Sequence, residues 1–261
     1  MFTVDNISLV YTEQTKFLDK IAKFYRHNLL VYHGAMAYLV EERKISMEML
    51  AKFQIGYAAN SSALLDFIVL NNLKEELLYT TGIFKIMQDE VYDHFYDRIM
   101  FPIFDISSNI IGFSGRIWRK DSVSTSKFVN SPDTPVYRKT YNLYGLNFAI
   151  ESIYKTGFAW VVEGIPDVIA CHSAGITNTV SAGGTSVTLE QLLIIRYFTK
   201  NIAFCFDNDT AGKKAISVIQ PMLKSLKFNF ISVFLSPSKD PDEALRDFGP
   251  SYLQTFLKNP F

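Results

Sequence analysis

The chain is poor in the residues that build zinc ribbons and cross-links: of 261 residues, only Cys171 and Cys205 are cysteine. Two thiols cannot make a four-ligand ribbon or a disulfide framework, and their apolar surroundings suit buried free thiols. Histidine is also scarce. His27, His33, His94 and His172 are scattered and match no ligand spacing, so structural or surface roles are expected of them. Long apolar runs are missing, since no uninterrupted stretch approaches the roughly 18 residues of a membrane span. The start, Met1-Phe2-Thr3-Val4-Asp5-Asn6, has neither the basic opening nor the apolar core of a signal peptide. A cytoplasmic protein with no membrane partner is the expectation. Net charge is lacking as well: 26 Lys and Arg balance 26 Asp and Glu, so the molecule as a whole exerts no general pull on nucleic acid.

What the chain does have is 48% apolar residues, enough for one large domain or two modest ones with a real core. No repeat or low-complexity tract interrupts it. Charge is uneven locally, because residues 98–141 hold seven Lys and Arg against three Asp and Glu. Phe113, Trp118, Phe128, Tyr137 and Tyr141 are interleaved with these cations. Single-stranded nucleic acid favours that mixture, although a solvated basic face with its aromatics turned inward has the same composition.

Periodicity separates a helical beginning from a strand-rich middle. Phe17, Ile21, Phe24, Tyr25 and Leu29 recur at three and four, which predicts a helix over 12–30. Shorter helices are expected at 34–41, at 47–53 behind a Ser46 cap, at 61–70 and at 73–79. From Arg98 the period becomes strand-like, with a hairpin over 98–118 turning at Ser107-Ser108-Asn109 and a further strand at 127–129. Beyond Leu146, strand-like and helical runs alternate as in a parallel sheet with covering helices. The predicted class is α/β, with a mixed α+β subdomain over 1–145 and a Rossmann-like parallel sheet over 146–261.

Three apolar runs in that second part stop at acids. Phe158-Ala159-Trp160-Val161-Val162 ends in Glu163-Gly164, with Asp167 beyond, and Ile202-Ala203-Phe204-Cys205-Phe206 ends in Asp207-Asn208-Asp209. The third, 230–235, leads to Ser238-Lys239-Asp240-Pro241-Asp242-Glu243. Such runs read as buried strands whose carboxyl edge, where open parallel sheets keep their chemistry, carries the acids. Five or six carboxylates meeting there would repel one another without a cation, and magnesium or manganese with oxygen ligands answers that need. Plainer alternatives stand beside this. Asp207-Asn208-Asp209-Thr210 can cap a helix, and Asp240-Pro241 can begin one. Gly183-Gly184-Thr185 fits either an ordinary turn or a close backbone approach to phosphate.

In order and spacing, Val161-Val162-Glu163-Gly164-x-x-Asp167, Gly183-Gly184-Thr185, Phe206-Asp207-Asn208-Asp209-x-Ala211-Gly212 and Lys239-Asp240-Pro241-Asp242-Glu243 resemble the TOPRIM domain of DnaG-type bacterial and phage primases. Upstream, Asp97-Arg98-Ile99-Met100-Phe101-Pro102-Ile103, Ile111-Gly112-Phe113-Ser114-Gly115-Arg116, Lys127-Phe128-Val129-Asn130-Ser131-Pro132 and Leu143-Tyr144-Gly145-Leu146 resemble the RNA polymerase core of that family. The resemblance spans about 45–243. It implies a primase that makes short RNA primers on single-stranded DNA, with ribonucleoside triphosphates as substrates and two or more magnesium or manganese ions.

By that resemblance, Glu163, Asp207 and Asp209 are catalytic and bind metal, and Asp240 and Asp242 join them as ligands. Asp167 touches metal indirectly or orients a basic group. Arg98, Arg116, Lys127, Asn130 and Lys139 fall on positions that grip template and triphosphate, each cation able to hold a phosphate without reading sequence. The family often has another basic residue two after Lys139, and here Tyr141 stands in its place. Family primases also carry a zinc-binding domain and a domain that docks on the replicative helicase. Neither is visible, so a catalytic core of a longer primase, or a compact one served by partners, is expected, as a monomer. A TOPRIM nuclease and an idle nucleic-acid-binding module are the rival readings.

Overall fold

The first helix, α1 (Val4–Val31), buries one stripe, with Phe17, Leu18, Ile21, Tyr25 and Leu29 almost without solvent contact. The stripe follows the three-and-four spacing that puts side chains on one helical face. The computed structural model describes residues 4–87, 90–119, 126–184 and 186–261. These form two units, Met1–Glu42 with Leu50–Lys139, and Arg43–Met49 with Thr140–Phe261.

In the first unit, α2 (His33–Ala37) runs into a π-helical turn at Tyr38–Glu42. Next in the chain comes α3 (Met47–Lys52), which starts in the Arg43–Met49 segment of the second unit and whose Met49 N–H donates to Ser46 Oγ at 3.3 Å. Strand β1 (Gly56–Ala58) follows, then α4 (Ser61–Leu70), capped by Asn60, and α5 (Glu76–Thr80). Strands β2 (Phe84–Met87) and β3 (Glu90–Asp93) pair antiparallel. The predicted hairpin is formed by β4 (Arg98–Phe104) and β5 (Ile110–Ile117), and β6 (Phe128–Asn130) adds to it. The sheet order is β1-β4-β5-β6, antiparallel throughout. Asp105 closes the hairpin turn by accepting the N–H groups of Ser107 and Asn109, both at 2.8 Å. Pro102 sits in β4 beyond the reach of β1, which pairs only with Arg98–Met100, so its missing N–H leaves no gap in that ladder.

The second unit continues with α6 (Leu146–Thr156), β7 (Phe158–Val162), α7 (Ile165–Ser173) and β8 (Thr179–Ser181). It goes on through α8 (Leu189–Phe198), β9 (Asn201–Cys205), α9 (Thr210–Ser225) and β10 (Asn229–Ser232). It ends in α10 (Pro241–Phe248) and α11 (Pro250–Leu257). All four strands are parallel, in the order β10-β9-β7-β8. Every residue of β7 is buried, as its unbroken apolar run predicts for a strand covered on both faces. Ala159, Val161, Ile202 and Phe204 form the core with Leu192 and Ile195 of α8 and Ile216 and Leu223 of α9. On α11, the Leu257 carbonyl accepts the buried Trp160 indole N–H at 2.8 Å.

Strand order reverses at the β7/β9 boundary: from β7 the chain goes outward to β8, then crosses back to β9 and on to β10. Open parallel sheets place their ligand crevice at such a switch point. Both cysteines are buried and free. Among the described residues, no helix is long and apolar enough to cross a membrane.

Candidate active site

Val162 and Cys205 are partners in the parallel ladder, so Glu163 and Asp207 leave neighbouring strands at the same carboxyl edge, on the switch point. They are tied directly, because the Asp207 N–H donates to Glu163 Oε1 at 3.0 Å. Gly212 makes that approach possible: a Cβ there would lie 2.2 Å from the Asp207 carbonyl oxygen and 2.9 Å from Glu163 Oε1. Asp209 caps α9 with one oxygen only, Oδ1 accepting the Gly212 N–H at 2.9 Å. The capping reading is therefore correct for one oxygen and leaves the other for a different partner.

That partner is a cation of the chain itself. Lys239 Nζ lies 2.7 Å from Asp207 Oδ2 and 3.6 Å from Asp209 Oδ2. Its hydrogen bond to Asp207, together with the charge attraction, holds the ammonium pKa up at about 12. The Gly212 N–H, with Lys239 helping, holds the Asp209 carboxyl below its ordinary value. Glu163 is different. Burial, then the charges of Asp207 and Asp209, push its pKa up, against the lowering effect of the Asp207 N–H. Among the described residues, no three His, Cys, Asp or Glu side chains form a ready-made metal cage. Glu163, Asp207 and Asp209 are thus tied together, with a lysine bridging two of them, and Asp167 feels the charges of Asp240, Asp242 and Asp207.

The glycine loop braces this set. Gly183 (φ +74°) and Gly184 (φ +81°) both adopt the left-handed conformation that glycine tolerates. Their N–H groups are used internally, Gly183 donating to Ser181 Oγ at 2.9 Å and Gly184 to the Glu163 carbonyl at 3.1 Å. Ser181 Oγ also donates to that carbonyl at 2.7 Å. Of the two readings of this loop, the turn is the one these bonds support. Thr185, the third residue of the motif, lies outside the described residues.

Asp240 caps α10 through Oδ1, which accepts the Glu243 N–H at 2.7 Å. Asp242, expected as a metal ligand, is paired with two guanidinium groups: Arg43, in a direct ion pair, and Arg246, with Nε at 3.4 Å. Asp167 accepts the Gly164 N–H at 2.9 Å and the Asp242 N–H at 3.3 Å, so it ties the starts of α7 and α10 together. It is buried, and burial, then the nearby Asp240 and Asp242, push its pKa well up. Arg43, Arg246 and the bridging part played by Lys239 went unmarked in the sequence. Lys239 stands inside a recognised motif; for Arg43 no local signal exists.

The basic positions of the first unit divide into two kinds. Arg98 is buried, its guanidinium donating to the carbonyls of Ser126 at 3.0 Å and Gly115 at 3.3 Å, and Arg116 is buried with its guanidinium 5.3 Å from the Phe128 ring centre. The Arg98 bonds reinforce the sheet. Lys127 is exposed, while Lys139 is half-buried and its ammonium pKa is lowered by that burial. Asn130 uses its carbonyl to meet His94 Nε2 at 2.9 Å, and the next residue, Ser131, accepts the Phe113 N–H at 2.9 Å through Oγ. Of the Asn-Ser-Pro motif, Ser131 thus fixes the loop with its side chain, and Asn130 does so with its main chain. His172 is buried against the Thr179 carbonyl at 3.0 Å, in keeping with a structural role.

Residues 24–150 match the family described as the DNA primase catalytic core, N-terminal domain, and residues 160–245 match the Toprim-like family. The DNA primase of Aquifex aeolicus is 36% identical over 242 residues, covering 93% of this chain and 48% of the relative. The chain thus spans under half the length of that curated relative. The E. coli primase catalytic core superposes with a TM-score of 0.81 at 31% identity, covering 94% of this chain and 79% of that one. A DnaG primase catalytic domain bound to single-stranded DNA gives 0.82 at 30% identity, with the same coverage of 94% and 79%. Acids at the switch point of a parallel sheet, with an antiparallel sheet earlier in the chain that carries the second motif set, agree with these matches; the chain belongs to the DnaG-type primase family, as a catalytic core with a TOPRIM domain.

Proposed function

We propose that the chain is the polymerising core of a DNA primase, which builds short RNA primers on single-stranded DNA from ribonucleoside triphosphates. The carrying observation is the joining of Glu163 and Asp207 at the switch point, with Asp209 beside them and a cation, Lys239, already between two of the acids. An all-oxygen donor set that draws in an ammonium suits magnesium or manganese. Glu163, Asp207 and Asp209 would hold the ions, with Asp240 contributing from the start of α10. Asp242 is assigned a different part, fixing α10 through Arg43. When bound, the ions would offset charge on the triphosphate and favour attack by a 3′ hydroxyl.

The chain's own residues would do the rest. The Asp207 amide orients Glu163, and the glycine loop holds Glu163 in place. Lys127 and Lys139 would contact backbone phosphates, while Arg98 keeps its sheet in shape. A template of single-stranded DNA is supported by the family member solved with that ligand. Zinc-dependent start-site choice and helicase docking are assigned to other domains or partners, and the cytoplasm is the proposed location.

The test is de novo synthesis on single-stranded templates with magnesium or manganese. Asp207→Ala is expected to lower product yield at least about 100-fold, equivalent to about 2.7 kcal/mol of barrier. An undiminished yield would remove the mechanism. Cleavage of labelled DNA without nucleotides, lost in the same variant, would move the assignment to a nuclease.

A further inference from the structure

Lys239 is not a loose surface lysine that happens to reach two acids. Its main chain is fixed on both sides: its N–H donates to Glu243 Oε2 at 2.5 Å, and its carbonyl accepts the N–H of Asn208 at 2.8 Å. Asn208 is the residue between Asp207 and Asp209, so the backbone of the Lys239 loop is bonded to the very turn that displays both carboxylates. Asn208 adds a second tie, donating from Nδ2 to the Leu235 carbonyl at 2.7 Å. The ammonium, with the side chain 52% exposed, is thereby delivered to Asp207 and Asp209 by the fold and can still leave them for solvent.

We propose that Lys239 is a built-in counter-cation of the Asp207–Asp209 pair, which a divalent ion must displace to bind. This rests on the metal reading of the same acids given above. In the absence of metal, Lys239 offsets repulsion among Glu163, Asp207 and Asp209. With metal, the two cations compete for the same oxygens, so apparent affinity is reduced by the fraction of molecules in which the lysine is engaged. Lys239 is a positioning residue here, acting through the acids.

The experiment is manganese binding to the full chain without nucleotide, read by electron paramagnetic resonance of the free ion, for wild type, Lys239→Met, Lys213→Met and Asp207→Asn. Lys213 is the control for general charge, since its ammonium lies 5.6 Å from the Phe234 ring centre, on the helix that Asp209 caps. Lys239→Met is expected to bind manganese about three- to fivefold more tightly, the scale of losing one or two exposed ion pairs, with Lys213→Met unchanged. A second reading is thermal: removing the lysine should lower Tm in chelator and enlarge the rise in Tm on adding manganese. Unchanged or weaker binding by Lys239→Met, while wild type binds and Asp207→Asn does not, would overturn the role of the lysine and leave the metal site standing. An equal gain in Lys213→Met would overturn it too, as a plain charge effect. Wild-type binding that is absent, or indifferent to Asp207→Asn, would strike down the metal reading and this inference with it.

Discussion

Glu163 carries the most information per atom in the second unit. One oxygen is committed to the Asp207 amide, and burial with two acidic neighbours pushes its pKa above the ordinary 4.5. Only the ionised carboxylate attracts a divalent ion. A raised pKa means that protons compete with metal at a higher pH than they would at a solvated glutamate. Manganese affinity should therefore fall on acidification through a midpoint above the ordinary glutamate range. In Glu163→Gln, which can still accept the Asp207 N–H, that step should vanish and overall affinity should drop; a pH titration of manganese binding checks both. The sequence announced Glu163, Asp207 and Asp209 because each follows an apolar run that has to be a buried strand, and a strand's end is legible. It could not announce Arg43 as the partner of Asp242, since the two lie 199 residues apart and nothing local to Arg43 distinguishes it from a surface arginine.

At the scale of elements, the start of α10 is the joint to watch. Asp240 caps it, Glu243 reaches back to the Lys239 amide, Asp167 of α7 accepts the Asp242 N–H, and Arg43 and Arg246 hold the Asp242 carboxylate. Arg43 comes from the short segment Arg43–Met49 that belongs to the second unit although it precedes most of the first. Asp242 is nearly buried, and taking one cation from a buried pair leaves charge uncompensated, at about 3–5 kcal/mol for a full loss. Arg246 remains in Arg43→Ala, so a smaller cost, about 1–3 kcal/mol, is expected from urea denaturation. Primer synthesis should fall with it, since the Lys239–Asp240 turn moves with the helix, and Arg43→Lys should restore only part, having one compact charge where the guanidinium has a fork. Stability equal to wild type would make the pair idle. Long periodic elements such as α1 and the β4–β5 hairpin were readable from spacing. Three- and four-residue strands such as β1, β2 and β3 were not, because their extended form is fixed by pairing with β4 or with each other and their own sequences are too short to show a period.

For the whole molecule, the balance of 26 against 26 charges means that any grip on single-stranded DNA has to come from a few placed cations and not from a general field. The composition of residues 98–141 pointed to such cations but could not sort them, because an arginine that braces a sheet and one that faces solvent look alike in sequence. The fold sorts them: Arg98 and Arg116 are buried, and Lys127 is exposed with Lys139 half-buried. Each lysine that neutralises one phosphate of a single strand contributes about 0.7 to the slope of log affinity against log salt. Lys127→Ala and Lys139→Ala should therefore each weaken binding to a labelled oligonucleotide and flatten that slope by about 0.7, additively in the double variant. Arg98→Ala should instead lower Tm, because the Gly115 and Ser126 carbonyls lose a buried donor. Fluorescence anisotropy across a salt series, set beside thermal melts, distinguishes the two classes, and a double lysine variant with the wild-type slope would show that neither side chain meets the strand. The slope is the decisive quantity here, because a damaged fold reduces the amount of competent protein at every salt concentration equally, whereas a lost phosphate contact changes how affinity responds to salt.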